Sequence, residues 1–311
     1  MPNSEIYLHQ PDEQKHVDDP QPSAETLVAQ LTVLRAKLPS RLSKAFKLLP
    51  NGEIEKLAGG QFASGECRVV PISDLTGFAN ILMRLTPSHA LVYGVPVNGA
   101  EKVMSRKAFE QAGRPADATT RTKEAFCYGD APGLLMLDYD APKDGNALDR
   151  EGLVGAVKAA VSGLVPCQML WFPSASSCIF NGDVPLWGVR GQRLYLLVAN
   201  AADIPRAGKV LLDRLWLAGH GHFEVSKSGV LLERTLFDGN VWQPNRLDFA
   251  GGADCTPPLR QDRGSPLLIE GDTAVVDTAV VFADLSLDEL DAVREMKTAA
   301  RQEMAWEADD A

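Results

Sequence analysis

The sequence predicts an α/β (α+β) protein, on three observations. Residues 67–95 read as strand, helix, strand. The second half alternates apolar strand-length runs with helical periodicities. A hairpin pattern comes next at 222–237. In chain order, residues 1–22 are polar and acidic, with Pro11, Pro20 and Pro22, the composition of a disordered tail. Ser23 is placed to cap a helix through Leu38, with Leu27, Leu31, Leu34 and Leu38 on one face and Pro39 as its stop. Residues 67–72 are extended. Ser73 caps a helix carrying Leu75, Phe78, Ile81, Leu82 and Leu85, and 89–95 returns as a strand. Residues 98–126 form a polar connection. A buried strand then runs through Leu134-Leu135-Met136-Leu137 to Asp140. A helix over 147–161 comes after it, with Leu153, Val154, Val157 and Val161 inward. Strands are expected at 167–172 and 193–199. A helix over 205–218 has its proline early, where a missing N–H costs little. Residues 222–226 and 230–237 pair around Lys227-Ser228-Gly229, and Ser286 with Glu289 forms a capping box that opens a final charged helix.

Bulk properties narrow the function. With 311 residues and 45% hydrophobic content, the chain can bury a substantial core. A formal charge of -10 argues against coating duplex DNA through a broad basic surface, yet permits a local basic groove. The five cysteines (Cys67, Cys127, Cys167, Cys178, Cys255) form no CxxC pair, which argues against a disulfide framework or a cysteine zinc site. No signal peptide is visible and no apolar run reaches membrane-spanning length, so the expectation is a cytoplasmic protein with no membrane partner.

The chemistry centres on Asp138-Tyr139-Asp140. Alternate strand residues face one side, so both carboxylates emerge together and Tyr139 points away. Neighbouring like charges call for water or a cation, and oxygen ligands suit Mg²⁺ or Mn²⁺. A solvated loop end is the plain alternative. Asp238 is a third carboxylate just past an apolar run, and also reads as a turn residue before Gly239-Asn240. Ser174, Ser176 and Ser177 lead into a glycine-containing loop that closes at Gly191-Gln192-Arg193-Leu194-Tyr195. Small hydroxyls beside glycine admit phosphate oxygens to backbone amides, and Arg193 is placed to grip a phosphate. An ordinary strand connection with an exposed arginine is the alternative there. Basic clusters lie at Arg35, Lys37, Arg41, Lys44 and Lys47, and at Lys102, Arg106, Lys107, Arg114, Arg121 and Lys123. His220-Gly221-His222 lacks further zinc ligands nearby, and Trp187 or Trp242 is a candidate base-stacking platform. Arg246 reads either as a phosphate contact or as a partner of Asp248.

Over most of residues 130–260 these segments resemble the archaeo-eukaryotic primase superfamily, the primase-polymerases of plasmids, phages and integrated mobile elements. Asp138-Tyr139-Asp140 is similar to its first motif. The serine cluster with Gly191-x-Arg193-Leu194-Tyr195 is similar to the second, and Asp238 to the third. Pro244-Asn245-Arg246-Leu247-Asp248-Phe249 and Pro257-Pro258-Leu259 resemble the stretch downstream of the third motif in mobile-element members. The resemblance implies a composite primase-polymerase fold. An N-terminal α/β unit (23–126) packs on an RRM-like, mostly antiparallel unit (127–285), with the active site in the cleft between, and a charged helix or linker (286–311) ends the chain. It implies two Mg²⁺ or Mn²⁺ ions on Asp138, Asp140 and Asp238. It also implies a nucleoside triphosphate held by Arg193 with Ser174, Ser176 or Ser177, a single-stranded DNA template along the basic stretches, and a helicase as partner. One departure stands out: Arg193 occupies the position of the family's histidine. An arginine binds phosphate but exchanges no proton near neutral pH. Two further expectations therefore stand beside primer synthesis. One is a replication initiator or accessory module that binds nucleotide and single strands without synthesis. The other is a metal-dependent nuclease on the same carboxylates.

Overall fold

The computed structural model describes residues 28–142, 147–226 and 228–309. The expected 1–22 tail, Leu27, and Lys227 in the hairpin turn lie outside them. The class is α+β. Two larger sheets, several two- and three-stranded ribbons and six α-helices make up the described residues.

The first sheet places Ala29–Leu38 between His89–Val92 and Ser64–Ile72, with Lys102–Met104 and Ala118–Thr120 beyond. The Ala29–Leu38 strand corrects the expected helix. Leu31 and Leu34 sit three apart, as on a helix face, but here they bury on opposite sides of one strand. Ala29 and Leu31 join the main core, whereas Leu34 and Ala36 belong to smaller clusters behind the sheet. The strand alternates, but its buried set changes face midway, from Ala29 and Leu31 to Leu34 and Ala36, so its leucines fall into helical spacing by coincidence. Helix Leu75–Arg84 runs between the sheets as expected. Its cap is Asp74 rather than Ser73: the Asp74 carboxylate accepts from the Gly77 N–H at 2.6 Å. The polar 98–126 connection is itself structured, with a short helix, Arg106–Gln111, between two parallel strands.

The second sheet runs Gly133–Asp140, Gly191–Val198, Met169–Pro173, Leu267–Ile269, all antiparallel, with Val275–Val276 added in parallel beside Gly191–Val198. All eight residues of Gly191–Val198 are buried, because helices lie on one face and the first sheet's helix on the other. Helices Arg150–Ala160 and Ile204–Leu217 supply Leu153, Val157, Ala207 and Leu211 to one side. On the other, Phe78 meets Tyr195 edge-on at 4.9 Å. One core thus spans both sheets. The chain then returns to the first sheet, where Asp248 exchanges backbone hydrogen bonds with Leu91, and Asp254–Cys255 goes on to pair with Ala45–Leu48 in a separate three-stranded sheet. The capping box forms as read, with Ser286 N–H donating to Glu289 at 2.7 Å and Glu289 N–H to Ser286 Oγ at 3.2 Å. The helix it opens, Leu287–Asp309, docks through Val293 beside Trp216 and Phe223.

Candidate functional site

Register builds the site. Asp138 and Arg193 are Cα partners on adjacent antiparallel strands, so their side chains leave the sheet together. Asp140 pairs with Gly191 two residues on, and Phe172 lies opposite Arg193 on the other flank. Tyr139 points to the opposite face, as expected, where its hydroxyl accepts from the Leu148 N–H at 2.8 Å. Gln192 joins it there, donating to the Leu148 carbonyl at 2.7 Å. The Asp138–Arg193 face turns toward the first sheet, the Tyr139–Gln192 face toward the Arg150–Ala160 helix.

Arg193 is buried and held between two carboxylates. Its Nη1 lies 2.6 Å from Asp248 Oδ1, and its Nε lies 3.4 Å from Asp138 Oδ1. Asp248 is inaccessible, and its other oxygen accepts from Tyr93 Oη at 2.5 Å and Tyr195 Oη at 3.3 Å. The Tyr93 and Tyr195 hydroxyls are driven up by burial and then by the Asp248 charge. Burial also pushes Asp138 up to about 6. Arg193 opposes the rise, and the charges of Asp140, Asp248 and Asp238 add to it. Arg263 sits above the Phe172 ring at 4.2 Å and donates to the Pro173 and Ala250 carbonyls. Sequence reasoning missed Asp248 as the partner of Arg193, setting it beside Arg246 instead. Arg246 is exposed, and the buried carboxylate belongs to Arg193. Nothing local marks Asp248, which follows Pro244-Asn245-Arg246-Leu247, and only the return of its segment to Leu91 reveals the pairing.

Asp238 reaches the site by a different route from the one its sequence suggests. The hairpin strand Leu231–Arg234 pairs only with His222–Val225 among the described residues. It is the turn after it that comes alongside, and the Asp238 N–H donates to the Asp138 carbonyl at 3.0 Å. One Asp238 oxygen caps the short helical turn behind it, accepting from the Asn240 N–H and side-chain amide, both at 2.9 Å. Asp140 is exposed, and its side chain is in no ion pair or hydrogen bond among the described residues. Asp138, Asp140 and Asp238 are close enough for each charge to raise the Asp138 proton affinity. They do not close on a common point: among the described residues no group of three or more His, Cys, Asp or Glu side chains is set to hold a metal ion.

The three serines divide by role. Ser177 is fully buried, and its hydroxyl donates to the Gly191 carbonyl (2.9 Å) while accepting from the N–H groups of Arg190 (3.0 Å) and Gly191 (3.1 Å). That exhausts a hydroxyl's capacity of one donor and two acceptor sites, so Ser177 locks the loop onto the strand. Ser174 and Ser176 share a hydrogen bond at 3.1 Å, and Ser176 also accepts from Lys44 Nζ at 3.3 Å. A Cβ at Gly191 would fall 2.5 Å from Ser174 Oγ and 3.3 Å from an Asp140 oxygen, so the glycine lets the serine loop pack directly against the strand. Lys44 reaches in from the first half of the chain. Burial lowers its pKa, with further downward influence from Lys56 and Arg193, while Asp140 and Asp138 hold it up. The first basic cluster therefore separates. Lys44 enters the site, Lys37 pairs with Glu66 at the surface, and Arg41 donates to the carbonyls of Ser43 and Ala58.

The stacking candidates are otherwise engaged. Trp242 is buried against Gly208 and donates to the Met136 carbonyl at 2.8 Å. Trp187 meets Phe46 edge-on at 5.2 Å, and Arg190 lies over its ring at 4.7 Å. Among the described residues no helix is long and apolar enough to cross a membrane. Comparison of the chain with protein-family models, with curated proteins and with solved structures returned no match.

Proposed function

We propose that this protein is a template-dependent nucleotidyltransferase, a primase-polymerase that makes or extends primers on single-stranded DNA. The observation that carries the reading is one of register. Asp138 and Arg193 face each other across adjacent strands, Asp238 is tied to Asp138 through the backbone, and Asp140, Ser174, Ser176 and Lys44 open beside them. The two larger sheets around this point support the composite fold that the motifs imply.

The donor set fits a hard divalent ion. All three carboxylates offer oxygen, and the Asp140 side chain is without a protein partner among the described residues. An incomplete cage agrees with such an ion, because Mg²⁺ is commonly held by one or two carboxylates with substrate phosphates completing its shell. When bound, it would supply charge neutralisation for phosphoryl transfer. The protein's own groups divide the remaining work. Lys44 and Ser176 are placed to bind phosphate oxygens. Asp248 and Arg193 hold Asp138 in place from behind.

Incubation with a single-stranded template, labelled nucleotides and Mg²⁺ or Mn²⁺ tests this. Dinucleotides or extended primers are expected, and Asp138→Ala with Asp140→Ala is expected to abolish them. Product that persists in the double variant overturns the carboxylate assignment. A second reading, a nucleotide- and strand-binding accessory module without synthesis, is favoured by one observation. Arg193 is neutralised by two carboxylates and is not free to grip a triphosphate. Triphosphate binding by calorimetry with no product under either metal would establish it.

A further inference from the structure

We infer that the face of the first sheet at the end of helix Leu75–Arg84 is a single-strand nucleic-acid groove, separate from the carboxylate site. The groove arises where the helix stops. Ala29 and Leu31 are buried in the core that this helix helps to form. Past its last turn, Val33, Val70 and Leu85 on the same side are only partly covered. They floor a cavity of about 360 Å³ whose rim carries Arg35, Arg68 and Arg84. All three arginines are exposed, and among the described residues none is in an ion pair or side-chain hydrogen bond. The acid at the rim, Glu66, is paired with Lys37 at 2.7 Å, so its charge is largely answered. Arg35 stands directly opposite Glu66 across the strands and shares its charge, so in a chain of net charge -10 the Arg68 and Arg84 guanidiniums beside an apolar floor mark a site for a phosphate-bearing ligand with a flat, weakly polar body.

Size and position choose among such ligands. The cavity is near the lower limit for small-molecule pockets, suited to one nucleotide unit. An acidic amphipathic helix needs anchors over two turns or more and would overrun it. His89 on the rim opens the strand His89–Val92, and Tyr93, which holds Asp248, follows its last residue, so the two are at most about 13 Å apart at strand rise. A free nucleotide at that distance would be idle, whereas a strand could occupy the groove and the carboxylate site together. In this respect the assignment rests on the transferase reading. Arg68, Arg84 and His89 lie outside the basic stretches picked out from sequence, and of the first stretch only Arg35 belongs.

The test is fluorescence anisotropy with labelled dT15 across a salt series, on the full chain without divalent ions. The wild type should bind. Arg68→Ala with Arg84→Ala should weaken binding about tenfold at moderate salt and reduce the slope of log K against log salt by about 1.4, for two lost phosphate contacts at roughly 0.7 each. Both positions are exposed, and unchanged thermal melting checks the fold. No binding by the wild type, or unchanged affinity and slope in the arginine variant, overturns the groove. So does displacement of dT15 by polyglutamate or by a mononucleotide as effective, charge for charge, as unlabelled dT15. Normal dT15 binding with no product formation sinks the transferase reading and leaves the groove standing. Product formation with unchanged binding in the arginine variant does the reverse.

Discussion

Asp138 carries the most informative charge in the molecule. It is mostly buried, faces a buried arginine, and has three further carboxylates within electrostatic reach. Its proton affinity is raised above the ordinary carboxylate value of 3.8 to about 6. Between about pH 4 and pH 6 the folded, metal-free protein retains a proton that the unfolded chain has released, so this residue's contribution to stability falls as pH rises through that window. At about 1.4 kcal/mol per pKa unit, the upper bound is about 3 kcal/mol, reduced by the residue's partial exposure and by its coupling to Arg193. Asp138→Asn should therefore flatten the stability–pH profile between pH 4 and 6, measured by urea denaturation without divalent ions. An unchanged slope would show that Asp138 titrates normally. Asp140, two residues on, is delivered to solvent by the strand.

At the scale of elements, the Gly191–Val198 strand and the serine loop behave as one unit. Ser177 bridges loop and strand with three hydrogen bonds, and Ser174 N–H donates to the Gly191 carbonyl at 2.8 Å. Ser177→Ala would leave the Arg190 and Gly191 N–H groups without a partner. A cost of about 2–4 kcal/mol is expected from two such losses, read as a lower denaturation midpoint. Ser176→Ala touches only Lys44 and Ser174, and should leave the midpoint nearly unchanged while weakening triphosphate binding. The elements also show how far local pattern reaches. The strand ending at Asp140, the helices Arg150–Ala160 and Ile204–Leu217, and the Ser286 capping box were legible because each carries its signal within a few residues. The Ala29–Leu38 strand was not. Its neighbours are Ser64–Ile72 and His89–Val92, far along the chain, and they bury it from both sides.

For the whole molecule, the segment from Pro244 to Thr256 is the tie between the sheets. It returns from the Asp238 turn, bonds Gly94, Leu91 and Phe46, and carries Asp248 into the buried ion cluster. Asp248→Asn would leave Arg193 to Asp138 alone. Removing one partner of a buried ion pair typically costs about 3–5 kcal/mol, so thermal unfolding should shift down by many degrees and dT15 binding should track the folded fraction. An unchanged melting temperature would show that Arg193 is satisfied without Asp248. The class, the strands Gly133–Asp140, Met169–Pro173 and Gly191–Val198, and Asp140 beside Asp138 could be read before any fold was known, because apolar runs, caps and a two-residue strand period are local; the short strands Leu267–Ile269 and Val275–Val276 that complete the second sheet could not. Three things had to wait for the packed chain. Arg193 faces carboxylates and not solvent, Lys44 and not its basic neighbours enters the site, and Ser177 is spent on backbone. Each depends on which distant segment lies opposite. An arginine reads the same in a sequence whether its nearest anion is a phosphate or an aspartate far along the chain.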